Sequence, residues 1–157
     1  MIVTLDPQEA MRAVMIGGGQ RLRRIRDGSA DRYGLQSDAE TNWGRQIESV
    51  GAEMAFAKWL GVYYNPPLRP DDGTDVAGCQ VRSSTFDGAH VLLHDQDTGP
   101  AVLVTGSMPE YVIRGWCIAE EVKLPAYLRE GPRSCYWIPA AKLAPIEALR
   151  ERLQVAA

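Results

Sequence analysis

Cysteine is scarce in this chain. There are three, Cys79, Cys117 and Cys135, with no CxxC spacing among them. An odd count without that spacing argues against a disulfide scaffold and suits a reducing cytoplasm, with the thiols buried. Long apolar runs are missing too. None approaches the ~20 residues of a membrane span, so no membrane partner is expected. The opening Met1-Ile2-Val3-Thr4-Leu5-Asp6 has neither a basic n-region nor an apolar h-region, so no signal peptide is expected and the expected location is the cytoplasm. Positive charge is not in excess either. The net charge of −3 and pI of about 5.4 argue against coating nucleic acid by bulk charge, but leave room for a local basic strip. Repeats and low-complexity tracts are absent. Gly17-Gly18-Gly19-Gln20-Arg21 lacks both the Gly-Lys-Ser/Thr ending of a P-loop and the GxGxxG order. Ser107 and Ser134 have no His and acid nearby in sequence, so nucleophilic catalysis has no visible basis. His90 and His94 lie four residues apart on a predicted strand, about 13 Å, too far to share one metal.

What is present is ordinary folding material. With 157 residues, 45% hydrophobic and 24% charged, the chain is long enough for one domain with a real core. The expected division is an N-terminal helical segment with a basic cluster over residues 1–37 and a core over 38–157. Asp6 is a candidate N-cap and Pro7 suits a first helical position, so residues 7–16 start a helix. Gly17-Gly18-Gly19 is expected to interrupt it, since each glycine weakens helix by about 1 kcal/mol. Gln20 to Arg26 follows, with Arg21, Arg23, Arg24 and Arg26 as the one strong basic cluster. A solvated helix face and a phosphate-contacting strip both fit that cluster.

From Thr41 or Asn42 to Leu60 the apolar residues Ile47, Val50, Met54, Ala57 and Leu60 recur at three- and four-residue steps, which predicts a helix with a core-facing stripe. Gly61 fits its C-terminal cap. Val62-Tyr63-Tyr64 reads as a short strand, and 65–73 as a loop. Beyond it the pattern is β: 79–84, 90–94, 101–105 and 111–118, with connections that suggest an antiparallel meander. A short helix near 125–129, a strand at 136–139 and a helix over 146–153 close the chain. The fold class expected is α+β, a long helix packed on a mostly antiparallel twisted sheet.

The chemistry concentrates in Glu53 and in Asp75 to Arg82. A helical acid is followed by a lone Asp and then by a polar-apolar-polar strand. Hydrolysis of a phosphodiester asks for a metal that polarises the phosphate and makes hydroxide, and magnesium asks for one or two carboxylates plus waters. Alternation puts Gln80 and Arg82 on one strand face and Val81 in the core. Gly78 allows a bulge or close backbone approach between Asp75 and Gln80.

The run from Gly51-Ala52-Glu53 through Lys58, Leu60-Gly61-Val62-Tyr63, Asp75-Val76, Gln80-Val81-Arg82-Ser83, Val102-Leu103-Val104-Thr105-Gly106, Gly115-Trp116 and Tyr136-Trp137-Ile138-Pro139 resembles a family of small phage and prophage proteins of unassigned function. That family in turn is similar to a divergent branch of the PD-(D/E)XK nuclease superfamily. The resemblance implies a restriction-endonuclease-like core and a DNA substrate in a host cytoplasm. It implies Mg2+ or Mn2+ held by Glu53, Asp75 and Gln80, and Arg82 at the catalytic position where a Lys is usual. Arg21, Arg23, Arg24 and Arg26 would contact nucleic acid. Gln80 stands where a Glu is usual and brings a carbonyl but no charge. Arg82 stays protonated, so it can clamp a phosphate but cannot act as a base. Lys58 is a poor replacement amine, about 140° around the helix from Glu53. The alternative is an inactive nuclease-like scaffold, with Asp75 and Arg82 as a structural ion pair, that binds nucleic acid or a host protein. A third alternative is a structural component that self-associates.

Overall fold

Gly17 faces the backbone of a second helix so closely that a Cβ on it would lie 2.8 Å from Ile47 Cα and 3.0 Å from Gln46 O. This contact organises the N-terminal half of the chain. The computed structural model describes residues 1–28, 39–66, 74–131 and 134–153. Most of the expected 65–73 loop, and the boundary expected at residue 37, lie outside the described residues.

A short strand β1 (Ile2–Thr4) leads into helix α1 (Pro7–Arg26). Asp6 caps α1 as expected: its Oδ1 accepts from the Gln8 and Glu9 N–H groups, and Glu9 Oε2 accepts in return from the Asp6 N–H at 2.7 Å. The three glycines do not interrupt α1. Close packing on helix α2 (Ala39–Leu60) outweighs their weak propensity, because only a residue without Cβ fits at Gly17.

Strands β2 (Gln80–Ser84), β3 (His90–Leu93), β4 (Pro100–Ser107) and β5 (Glu110–Ile118) follow. Beyond them come the short helix α3 (Ala119–Val122), β6 (Leu128–Arg129), β7 (Cys135–Pro139) and helix α4 (Ile146–Arg152). One sheet has the order β1-β5-β4-β2 and the other β3-β7-β6. The fold is α+β, and every pairing but one is antiparallel. The exception corrects the meander expectation: β2 and β4 run parallel, Gln80 opposite Ala101 and Ser84 opposite Thr105. The chain gains the length for this crossover by sending β3 into the second sheet. Val62-Tyr63-Tyr64 forms no strand. The Arg12 guanidinium holds that segment instead, through the Tyr63 hydroxyl and the Tyr64 carbonyl, each at 2.8 Å.

The apolar run of β4 is buried on both faces. Val102 and Val104 pack with Val50, Phe56, Leu60, Val81 and Ile113 under α2. Ala101 and Leu103 face the opposite way and pack with Val91, Leu93 and Ile138 of the second sheet. Helix α2 is therefore enclosed, by α1 on one side and the first sheet on the other, and residues 50–57 are all buried. Tyr111 of β5 reaches past Gly51, where a Cβ would collide with its ring and hydroxyl, and donates to Glu48 Oε2 at 2.8 Å. That bond locks the middle of α2 to the sheet.

Candidate functional site

The turn before β2 brings its acid back over the strand. Ala77 and Gly78 both have positive φ, 49° and 80°, in the tight turn that bridges Val76 to Cys79. Gly78 thus serves the turn itself. The turn sets the Asp75 carboxylate over the start of β2, where Oδ2 accepts from the Val81 N–H at 2.7 Å. Asp75 Oδ1 makes no hydrogen bond to a described residue.

Glu53 comes from the buried stretch of α2 and is 8% exposed. Its Oε2 accepts from the Tyr64 hydroxyl at 2.5 Å and its Oε1 from the Ser49 hydroxyl at 3.3 Å. Burial pushes its pKa up to about 7, and the charge of Asp75 adds to the rise. The two hydroxyls and, least, the charge of Arg24 act the other way. Asp75 is raised as well, chiefly by burial, against the Val81 N–H and the Arg82 charge that favour its ionised form. The buried Glu53 and the half-buried Asp75 are therefore near enough for one charge to act on the other. Glu53 is thereby brought to titrate near neutral pH, and Asp75 is moved in the same direction.

Gln80 and Arg82 do share a face, as alternation requires. Arg82 Nη2 donates to Gln80 Oε1 at 2.5 Å, and Gln80 Nε2 donates to Thr98 O at 3.0 Å. Val81 lies in the core below α2. The ion pair of Arg82 is with Asp97, at 2.7 Å, rather than with Asp75, and its Nε donates to Leu92 O at 3.1 Å. Asp97 is held in turn: its Oδ2 accepts from the His94 N–H, and Lys123 Nζ ties down the carbonyls of Asp95 and Asp97. Arg82 Nη1 has no hydrogen bond to a described residue.

The arginine cluster divides. Arg23 and Arg26 are exposed, with Arg23 Nε against Gly19 O and Arg26 paired with Asp27 at 2.9 Å. Arg21 and Arg24 are half-buried, and the charge of Arg24 reaches Glu53. Lys58 points elsewhere, donating to Thr4 O and pairing with Glu9 at 2.6 Å.

Among the described residues no group of three or more His, Cys, Asp or Glu is arranged to hold a metal ion. Glu53 and Asp75 are the acids a cation could use, and both are oxygen donors of the kind magnesium takes. Gln80 Oε1 already faces the Arg82 guanidinium, an unfavourable neighbour for a cation. The partners that sequence reasoning missed are Tyr64, Ser49 and Asp97. Ser49 lies one helical turn before Glu53, which is a usable signal; Asp97 carries none, because the β3 excursion brings it to Arg82.

Comparison with family models, with curated proteins and with solved structures finds no match to this chain.

Proposed function

We propose that this chain is a divergent metal-dependent nuclease that hydrolyses DNA phosphodiesters, of the PD-(D/E)XK kind its sequence resembles, encoded by a phage and working in the host cytoplasm. One observation carries the proposal: the buried Glu53 and the half-buried Asp75, carboxylates from separate elements, are near enough for the charge of Asp75 to raise Glu53, and the Arg82 charge acts on Asp75. Acids that raise one another's cost of ionising are an arrangement a divalent cation relieves.

Glu53 and Asp75 would hold Mg2+ or Mn2+, with waters completing the shell. An ion bound there supplies charge for the phosphate and an acidified water. The chain's own groups do the rest. Tyr64 and Ser49 fix the Glu53 carboxylate, and the Val81 N–H fixes Asp75 with one oxygen left over. Arg82 is braced by Leu92 O, Gln80 and Asp97, and its remaining Nη1 would meet a phosphate oxygen. Gln80 acts on this view through Arg82 more than through the metal. Arg21, Arg23, Arg24 and Arg26 would follow the DNA backbone, with Arg23 and Arg26 offering the exposed charge.

Incubation of supercoiled, linear and branched DNA with manganese tests the proposal, using the native chain and Asp75→Asn. Asparagine keeps an acceptor for the Val81 N–H while removing the charge. Cutting by the native chain and none by the variant is expected.

A second proposal has one observation in its favour. Arg82 is already neutralised by Asp97, and Gln80 brings no charge, so the scaffold can serve as a binding module for nucleic acid or a host protein. It predicts equal DNA or partner binding with and without manganese.

A further inference from the structure

Helix α1 has two apolar faces, and only one has a partner among the described residues. Ala10, Ala13, Ile16, Gly17 and Gln20 turn toward α2 or are partly covered. On the other side Met11, Val14, Met15, Leu22 and Ile25 stand exposed, from 41% at Val14 to 71% at Met15. Met11, Met15, Gly18, Leu22 and Ile25 follow one another at steps of four, three, four and three residues, the spacing of a coiled-coil seam. A monomer rarely shows a contiguous apolar patch above roughly 300–600 Å2. The exposed side chains of Met11, Val14, Met15, Leu22 and Ile25 together present on the order of 500 Å2.

We infer that α1 pairs antiparallel with α1 of a second copy of this chain. The proposal stands independently of the nuclease assignment. Full overlap of Pro7–Arg26 sets residues whose numbers sum to 33 opposite one another. Met11 then faces Leu22 of the second copy, Gln8 faces Ile25, and Met15 lies over Gly18. The contact is isologous, each pair occurring twice. Space for it exists. A Cβ at Gly18 would meet only Trp43 Cζ3, at 3.6 Å, and one at Gly19 would meet nothing within 4 Å. Gln8, Met11, Arg12 and Met15 have the i, i+3, i+4, i+7 spacing of a hole that takes a knob from a facing helix. With Pro7 and Ile16 they line a groove of about 490 Å3. In this register Leu22 of the second copy, opposite Met11, enters it.

Charge selects the antiparallel sense. The first turn of α1 carries Asp6 and Glu9, and the last carries Arg23, Arg24 and Arg26. Glu9 is already paired with Lys58, so the sense rests on the helix dipoles, which antiparallel pairing aligns favourably, and on the arginines. Parallel pairing would press two arginine clusters together. Two copies of the stripe bury about 1,000 Å2 before flanking atoms are counted, close to the roughly 1,200 Å2 at which stable interfaces begin.

Light scattering on a sizing column at about 200 µM chain, where a Kd near 20 µM leaves most of it paired, reads the outcome directly. The native chain is expected at twice its 17.3 kDa mass, and Met15→Glu and Leu22→Glu each at the single mass with unchanged helical circular dichroism. A native monomer, or a dimer that survives both substitutions, overturns the inference. A second measurement fixes the sense of the pair. In a Cys135→Ser background, Gln8→Cys with Ile25→Cys should oxidise to a covalent dimer, because the two positions in one chain are about 25 Å apart along the helix. Cross-linking by Gln8→Cys without the second cysteine marks a parallel pair and overturns the antiparallel one.

Discussion

Tyr64 donates its hydroxyl to Glu53 Oε2 at 2.5 Å from a segment beyond the end of the helix that carries Glu53. Arg12 of α1 holds the same segment by the Tyr64 carbonyl. The candidate acid is thus oriented by three elements, α1, α2 and the turn that follows α2. Burial costs it ionisation, and the hydroxyl returns part of that cost.

Stability of the metal-free chain should fall with rising pH. A carboxyl whose folded pKa lies above its unfolded one keeps its proton longer in the folded state. Its contribution is therefore lost between the unfolded value, 4.5, and the folded value, about 7, and is level above that. The shift is worth roughly 3 kcal/mol at most, and Asp75 adds with the same sign. Urea midpoints taken in chelator from pH 4.5 to 8 should decline over this window, and Glu53→Gln should flatten most of the decline. A midpoint that rises through the window contradicts the assignment.

Tyr64→Phe should move the same decline to higher pH, since the hydroxyl favours the ionised acid. It should also cost about 1 kcal/mol near neutrality, the usual worth of one hydrogen bond. A curve unmoved along the pH axis would show that Glu53 does not depend on Tyr64.

Gly51→Ala should destabilise by about 1–3 kcal/mol, because the new methyl meets the Tyr111 hydroxyl. Tyr111→Phe removes that oxygen, so the double variant should lose less than the two single losses combined. Denaturation of the four proteins gives the coupling. Strict additivity would mean the side chains do not meet.

Helix α2 was legible because its apolar steps continue for four turns and its acid sits among them. The face shared by Gln80 and Arg82 was legible from strand alternation. The continuity of α1 through Gly17-Gly18-Gly19 was not, since local propensity opposes it and the contact with Ile47 that favours it lies across the helix pair. The parallel pairing of β2 and β4 was hidden for a related reason: β3 sits between them in sequence but joins another sheet. That excursion also delivers Asp97 to Arg82, so the ion partner of the arginine could not be read from its neighbours.

Arg82→Met should cost about 2 kcal/mol or more, since Asp97 and Gln80 lose a charged donor inside a half-buried site. Arg82→Lys should recover only part of the loss, because an ammonium cannot span Leu92 O, Gln80 and Asp97 together. Full recovery by lysine would mean that the fork geometry is unimportant.

The most direct test of the central claim is manganese-dependent cutting of supercoiled, linear and branched DNA by the native chain beside Asp75→Asn, with folding of both checked by circular dichroism. The account predicts nicks or breaks from the native chain that need the metal and disappear in the variant. Cutting that persists at the same rate in Asp75→Asn, or no metal-dependent cutting of any of the three substrates by the folded native chain, would contradict it.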